Sequence, residues 1–194
     1  MDIVERNLPV IMVREHLDGI PQHALPSGFT IRWYRPGDEA HWVAIHRLAD
    51  RYNVITPERF TREFGRDPER LRQRQCFLLS PRGEVIGTAT AWFDDDFRGR
   101  RYGRVHWVAI VPAMQGRGLS KPLMSVVCER LRALGHDRAY LTTSTARIPA
   151  INLYLQFGFV PYIRGSEDRR IWQALRARLK EPLALEDAIS GHEG

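Results

Sequence analysis

The sequence predicts an α/β fold of the α+β type, with a mixed central sheet of six or seven strands flanked by helices. Three observations predict this class. Two β-rich segments, residues 76–79 and 84–93, are joined by a tight turn, which is typical of an antiparallel hairpin. A strand, a helix and a second strand follow within residues 104–145, and a connection of that length implies a parallel pair. The length of 194 residues suits one domain with short extensions.

The segment before the hairpin predicts one strand and three helices. Residues 29–34 alternate as a strand does, and apolar residues recur at helical spacing over residues 42–49. Thr56 and Asp67 are each followed by a proline. A capping side chain before a proline at the first helical position predicts that two short helices start there.

The segment after the hairpin contains the strand–helix–strand unit. Residues 94–103 are polar and charged and predict a loop, and residues 104–111 predict the next strand. An apolar stripe from Leu119 to Leu134 predicts a helix that Gly135 ends as a left-handed cap. The elements predicted after it are a strand over residues 139–145, a helix over 151–157 and a strand over 159–163.

The predicted organisation is an arm, a domain and a tail. Residues 1–27 predict an N-terminal arm, residues 28–164 the main domain, and residues 165–194 a C-terminal helix and tail. The C-terminal helix is predicted because Ile171, Leu175 and Leu179 are spaced four residues apart.

Composition and charge restrict the class of protein. The net charge of +6 comes almost wholly from arginine, because Lys121 and Lys180 are the only lysines. The arginines are scattered among acidic residues without a nucleic-acid motif, so a nucleic-acid partner is not expected. No apolar run approaches the roughly 20 residues of a membrane span, and the N-terminus does not resemble a signal peptide. We therefore expect a cytoplasmic protein without a membrane partner, and Cys76 and Cys128 as buried core residues.

A glycine-rich segment, residues 111–121, lies between a predicted strand and a predicted helix. Pro122 belongs in the first helical turn, because it cannot donate an intrahelical hydrogen bond. The amides before it are then unpaired at the positive end of the helix, and glycines allow an anion to approach the backbone. Arg117 and Lys121 add positive charge. The residues predict a pyrophosphate site, with a glycine turn used only for packing as the alternative.

Two segments together resemble the GNAT-type, acetyl-CoA-dependent N-acetyltransferases. The first is similar to motif A of that family, Gln/Arg-x-x-Gly-x-Gly/Ala, and reads Gln115-Gly116-Arg117-Gly118-Leu119-Ser120. Ser120 replaces the final Gly or Ala. The second, residues 150–159, resembles motif B, Ala-Ile-x-x-Tyr-x-x-x-Gly-Phe. The order of elements is similar over about residues 29–163, and the motifs lie within residues 104–159.

The resemblance implies the GNAT fold, whose sheet is splayed between the fourth and fifth strands to admit the pantetheine arm. It implies an acetyl-CoA donor and no metal. The backbone of Val108 and Ile110 would bind pantetheine, and residues 116–121 would bind the pyrophosphate. Arg147 stands where many members have a coenzyme-contacting asparagine, with a phosphate contact and a water-facing side chain as the two alternatives. The predicted coenzyme-binding residues are Val108, Ala109, Ile110, Gln115, Gly116, Arg117, Gly118, Leu119, Ser120, Lys121 and Arg147.

The resemblance also implies two catalytic residues. Tyr154 occupies the position of the family's tyrosine that protonates the departing thiolate. His106 lies on the strand that enters the active site, where some members use a histidine as the base, directly or through water. A histidine that packs or faces solvent is the alternative interpretation. Asp94, Asp95 and Asp96 are the alternative bases, and a solvated loop is the alternative interpretation of that run.

Three functions are left open at this point. The first is acetyl transfer from acetyl-CoA to a primary amine by direct attack in a ternary complex. The second is a non-catalytic acyl-CoA-binding module, and the third is an arginine-rich surface for nucleic acid or an acidic partner. Acceptor contacts are expected near residues 50–74 and 94–103. The acceptor amine and the oligomeric state, a homodimer included, are not predicted.

Overall fold

Six α-helices and eight strands are formed by the described residues of the computed structural model, which are residues 2–183, 185, 189 and 190. The strands are β1 (Pro9–Arg14), β2 (Thr30–Trp33), β3 (Gln75–Leu79), β4 (Val85–Phe97), β5 (Arg100–Ile110), β6 (Ala139–Ser144), β7 (Val160–Ile163) and β8 (Ile189–Ser190). The helices are α1 (Glu39–Ala49), α2 (Pro57–Phe64), α3 (Pro68–Arg74), α4 (Ser120–Ala133), α5 (Ile148–Gln156) and α6 (Ser166–Arg176). The predicted α/β class is confirmed, and β1 and β8 are strands that the sequence analysis did not assign.

The chain divides into two units. Unit 1 consists of Met1–Gly19, Asp95–Gly103 and His136–Gly194, and unit 2 consists of Ile20–Asp94 and Arg104–Gly135. The predicted splay and the predicted crossover concern strands of different units, so both stay predictions. The predicted domain boundaries after residues 27 and 164 likewise stay predictions.

Unit 2 holds the predicted hairpin. Strand β3 pairs antiparallel with β2 and with β4, and a register shift between Leu78 and Leu79 marks an irregularity next to the turn. Helices α1 and α2 contribute Trp42, Phe60 and Phe64 to a buried cluster that also includes Phe77 of β3. The aromatic side chains of two short helices therefore bury one another and the adjoining strand.

The predicted helix signals of unit 2 are confirmed. Thr56 Oγ1 accepts a hydrogen bond from the amide of Arg59 at 3.1 Å and so caps α2. Asp67 caps α3 in the same way, by accepting from the amide of Glu69 at 3.0 Å. Pro122 lies in the first turn of α4, and Gly135, at φ 83°, follows its end.

Unit 1 contains a strand within the segment predicted as an arm. Strand β1 pairs antiparallel with β6 over its whole length, and with β7 at Met12 and Val13. Both side chains are fully buried. Helix α6 is present and contains Ile171 and Leu175, but it ends at Arg176, before Leu179. Strand β8 pairs parallel with β7. The end of the predicted C-terminal tail, residues 184–194, lies outside the described residues except for residues 185, 189 and 190.

The prediction of a loop over residues 94–103 is wrong. Strand β4 continues to Phe97 and β5 begins at Arg100. Arg98 and Gly99 form the two-residue connection with φ 58° and 72°, the backbone that a tight hairpin turn requires. Phe97 stacks on Tyr140 of β6 with ring centroids 3.9 Å apart. This aromatic packing within unit 1 stabilises strand structure in a segment whose charges alone suggest a loop.

The predicted cysteine environment is confirmed, since Cys76 and Cys128 are both buried and unlinked. Among the described residues, the longest apolar helices fall short of what a membrane crossing requires. The same residues include no group of three or more His, Cys, Asp or Glu side chains arranged to hold a metal ion.

Candidate active site

The predicted phosphate loop lies in unit 2, between β5 and α4. Gly116 and Gly118 both have φ 74°, a backbone conformation that side chains other than glycine rarely adopt. A Cβ atom placed on either glycine would meet no atom within 4 Å, so space is open on that side of the loop. Leu119 precedes α4 without a side-chain cap. The first amides of this helix therefore have no capping side chain.

Charge at the loop comes from two exposed side chains, Arg117 and Lys121. The open backbone, the uncapped helix start and these two cations are consecutive in the chain, so they lie at one place in unit 2. An anion there would meet amide N–H groups and full positive charges together. The residues present therefore fit a pyrophosphate.

Gln115 connects the loop to the strand before it. Its side-chain Nε2 donates a hydrogen bond to the main-chain oxygen of Ile110 at 2.8 Å. This hydrogen bond fixes the point at which the loop leaves β5. Gln115, which is predicted to bind coenzyme, therefore makes a structural contact within the protein. Leu119 is buried, so its contribution to an anion site is limited to its backbone.

Strand β5 is irregular where pantetheine binding is predicted. Trp107 has φ 51°, which is uncommon for a bulky residue and rare inside a strand. Val105 and His106 before it are both buried, so the alternation of buried and exposed side chains is interrupted. Irregularities of this kind leave backbone groups outside the regular ladder. Val108, Ala109 and Ile110 follow directly and complete β5.

His106 is held by a carboxylate that the sequence analysis did not identify. Its Nε2 lies 3.0 Å from Oε2 of Glu63 on α2. Oε1 of Glu63 lies 2.7 Å from Nε of Arg59, one helical turn earlier. The spacing of four residues between Arg59 and Glu63 is visible in the sequence. The contact between Glu63 and His106, which are 43 residues apart, has no local signal.

The protonation of this group follows from its surroundings. Burial lowers the pKa of His106 to about 4, opposed by Glu63 and assisted by Arg104 and Arg59. Burial is the largest single influence on Glu63 and disfavours its ionisation, but the hydrogen bond with His106 and the other favourable contacts together outweigh it. Together with Trp107 and Arg59, that bond lowers the pKa of Glu63 to about 2. At neutral pH the carboxylate is charged and the imidazole is neutral.

Aromatic rings enclose the pair. The His106 ring meets Phe64 edge to face at 5.5 Å, and the guanidinium of Arg59 lies 5.2 Å from the Trp107 ring centroid. Trp42 packs against Trp107 at 5.1 Å. The polar pair therefore lies against a tightly packed aromatic cluster, which restricts rotation of both side chains.

The remaining predicted residues lie mainly in unit 1. Tyr154 is a buried residue of α5, with its ring 6.3 Å from that of Phe159. Arg147 precedes α5 and donates to Ser144 Oγ at 3.1 Å. Asp94, Asp95 and Asp96 lie on β4, and Asp95 pairs with Arg101 at 3.1 Å.

The structure brings the predicted site residues together in two groups. Unit 2 contains His106, residues 108–110 and the phosphate loop, and unit 1 contains Tyr154 and Arg147. The roles predicted for these residues, and the approach of one group to the other, stay predictions.

Comparison with known proteins identifies similar sequences. Residues 38–159 match the family described as Acetyltransferase (GNAT) family. A mycothiol acetyltransferase from Streptomyces bingchenggensis is 32% identical over 146 residues, which cover 74% of this chain and 46% of that protein. A mycothiol acetyltransferase from Salinispora tropica is 30% identical over 145 residues, covering 72% of this chain and 47% of that protein. The chain thus spans about half the length of the curated relatives it matches.

Comparison of structures identifies the same fold. A GCN5-related N-acetyltransferase from Sphaerobacter thermophilus has a TM-score of 0.64 at 22% identity, covering 79% of this chain and 48% of that chain. The ribosomal-protein-S18-alanine N-acetyltransferase from Escherichia coli has a TM-score of 0.55 at 20% identity, covering 67% of this chain and 76% of that chain. At these identities the likeness concerns the fold alone.

Proposed function

Since this chain belongs to the acetyltransferase (GNAT) family, we propose that it transfers an acetyl group from acetyl-CoA to a primary amine by direct attack in a ternary complex. The observation that carries the proposal is the phosphate loop, in which two left-handed glycines lead into a helix start without a side-chain cap. Arg117 and Lys121 supply the charge. The sequence relatives are named mycothiol acetyltransferases, so the acceptor of those enzymes is the first amine to test.

Acetyl-CoA would be bound mainly by backbone groups of this chain. The loop amides and the two cations would hold the pyrophosphate, and the backbone of Val108 and Ile110 would hold the pantetheine arm. The irregularity at Trp107 supports this, because it interrupts the regular strand just before those residues. Catalysis would come mainly from positioning the amine against the thioester, with strand amides stabilising the developing oxyanion.

The transfer itself requires two proton movements. The lone pair of a neutral amine forms a bond to the acetyl carbon, and the carbon–sulfur bond breaks with its electron pair leaving on sulfur. The surplus proton on nitrogen goes to His106, and the hydroxyl proton of Tyr154 goes to sulfur. The products are an acetylated amine and the free thiol of coenzyme A. Solvent then returns a proton from His106 to Tyr154.

The test is thiol release from acetyl-CoA with a panel of primary amines, together with the melting temperature in the presence of acetyl-CoA. Tyr154→Phe should lower kcat on the order of 10²-fold and keep the coenzyme-dependent increase in melting temperature. Tyr162→Phe, a half-buried tyrosine of the same unit, is the matched control. Stabilisation by acetyl-CoA without thiol release on any amine would indicate a non-catalytic coenzyme-binding module. Unchanged kcat in Tyr154→Phe would remove Tyr154 from the mechanism.

A further inference from the structure

We propose that Glu63 is a positioning residue for His106. Glu63 holds the imidazole of His106 with its proton on Nε2, so that Nδ1 is the basic atom. The assignment of the tautomer is independent of the reaction. The use of Nδ1 to accept the proton of the acceptor amine rests on the proposed function.

The geometry fixes the carboxylate of Glu63 from both sides. Oε1 faces Nε of Arg59 at 2.7 Å, and Oε2 faces Nε2 of His106 at 3.0 Å. Each oxygen thus has a different partner, and rotation of the carboxylate would break both contacts. The side chains of Glu63 and His106 are only 18% and 9% exposed, so water competes weakly for either of them.

The direction of the hydrogen bond follows from the charges. An ionised carboxylate is only an acceptor, so Nε2 of His106 must be the donor. Because burial keeps the imidazole neutral, its single proton is then on Nε2 and the lone pair is on Nδ1. The charged groups that face the ring are Glu63 and Arg59 from α2 and Arg104 from β5. The two arginines oppose formation of an imidazolium, and Glu63 favours it.

This arrangement has a chemical consequence. A neutral imidazole with a fixed lone pair can accept a proton without first changing its tautomer. When Nδ1 takes the proton from the attacking nitrogen, the imidazolium that forms is stabilised by the charge of Glu63. The carboxylate would therefore act twice, by orienting the ring beforehand and by stabilising its charge afterwards, without touching the substrate.

The substitution Glu63→Gln separates these effects from simple packing. The amide has nearly the same shape, but only one of its two terminal atoms is an acceptor. Because Arg59 is only a donor, we expect the amide oxygen to stay beside Arg59 and the amide NH₂ group to face His106. Nε2 must then accept, so the proton of the neutral ring moves to Nδ1. Glu58→Gln, an exposed glutamate of the same helix, is the matched control.

The tautomer is measured by two-bond ¹H–¹⁵N correlation spectra at pH 7 on protein labelled with ¹⁵N-histidine. His106→Gln identifies the signals of His106 among the seven histidines. We expect Nε2–H in the native protein and in Glu58→Gln, and Nδ1–H in Glu63→Gln. A proton on Nδ1 in the native protein, or on Nε2 in Glu63→Gln, would overturn the proposal. If Glu63→Gln does not fold, Glu63→Asp keeps the charge, and a retained Nε2–H there supports the proposal, whereas Nδ1–H overturns it.

A second experiment measures the rate of thiol release with the amine that the native protein acetylates fastest. We expect kcat in Glu63→Gln to fall on the order of 10²-fold, with KM for acetyl-CoA within about twofold. Inversion of the tautomer with unchanged kcat would overturn the use of Nδ1 as the base. If the native protein releases no thiol with any amine, the proposed function fails, and the spectra still decide the role of Glu63.

Discussion

The guanidinium group of Arg14 donates a hydrogen bond to the main-chain oxygen of Phe157, a residue 143 positions later in the chain. The same group donates to the main-chain oxygens of His16 at 2.7 Å and Asp18 at 2.6 Å. Phe157 follows the last turn of α5, the helix that contains Tyr154. One side chain at the end of β1 therefore connects the N-terminal segment to the helix of the predicted catalytic tyrosine.

Replacement of Arg14 by Met should lower the free energy of unfolding by about 2–3 kcal/mol, because three carbonyl groups lose a charged donor. Arg14→Lys should retain only part of the stability that Arg14→Met loses, since an ammonium group cannot reach three separate oxygens. Urea denaturation measures the change, and Arg6→Met, an exposed arginine of the same segment, is the control. A loss below about 0.5 kcal/mol in Arg14→Met would show that the contact contributes little.

Gly158 tests the same contact from the other side. Its φ is 72°, and an added Cβ would lie 2.6 Å from Nη1 of Arg14. Gly135 has a similar φ of 83°, with no atom within 4 Å of an added Cβ. Gly135→Ala should therefore cost only the backbone strain, about 1–2 kcal/mol. Gly158→Ala should cost at least about 1 kcal/mol more, because Arg14 must leave its carbonyl partners. Thermal denaturation measures both variants, and an equal loss of stability in Gly135→Ala and Gly158→Ala would show that the Arg14 contact does not set the cost.

Features that depend on neighbouring residues could be predicted from the sequence. The caps at Thr56 and Asp67, the position of Pro122 and the end of α4 at Gly135 all depend on a few adjacent residues. The same holds for the glycine backbone of the phosphate loop, whose role in binding stays a prediction. Local chemistry fixes these features, so sequence patterns are sufficient to find them.

Features that depend on distant partners could not be predicted. Strand β1 was missed because its partner β6 begins at residue 139, and a short apolar segment alone does not show that it will pair. The strands across residues 94–103 were missed because Phe97 is fixed by Tyr140. Glu63 was missed for the same reason, since only the fold brings it to His106.

Stability should decrease with acid through His106. Its pKa is about 4 in the folded protein, below the ordinary value of 6.5. The unfolded chain therefore takes up this proton first, and the free energy of unfolding falls as the pH decreases from 6.5 toward 4. Glu63 acts in the same direction below its ordinary pKa of 4.5.

His106→Gln should remove on the order of 2 kcal/mol of the decrease in unfolding free energy between about pH 7 and pH 4.5. Urea denaturation across that range, with the exposed His16→Gln as control, measures it. If the free energy of unfolding of His106→Gln depends on pH as steeply as that of the native protein, His106 titrates normally when folded.

Asn152 is a second connection made by α5. Its Oδ1 accepts hydrogen bonds from the amides of Lys180 at 2.8 Å and Glu181 at 3.0 Å. Its Nδ2 donates to the main-chain oxygen of Ile148 at 3.0 Å. The residue is only 9% exposed, so the segment after α6 is held by a buried amide.

Asn152→Leu should release this segment, because two backbone amides lose their acceptor at a cost of about 1 kcal/mol each. Trypsin cleavage after Arg178 and Lys180, followed by mass spectrometry, should then be faster on the order of tenfold. Asn152→Asp is the matched comparison, since its carboxylate still accepts from both amides and loses only the donor to Ile148. Its cleavage should stay within about threefold of the native rate. If Asn152→Asp is cleaved as fast as Asn152→Leu, the acceptor oxygen is not what holds the segment, and packing around α5 must do so instead.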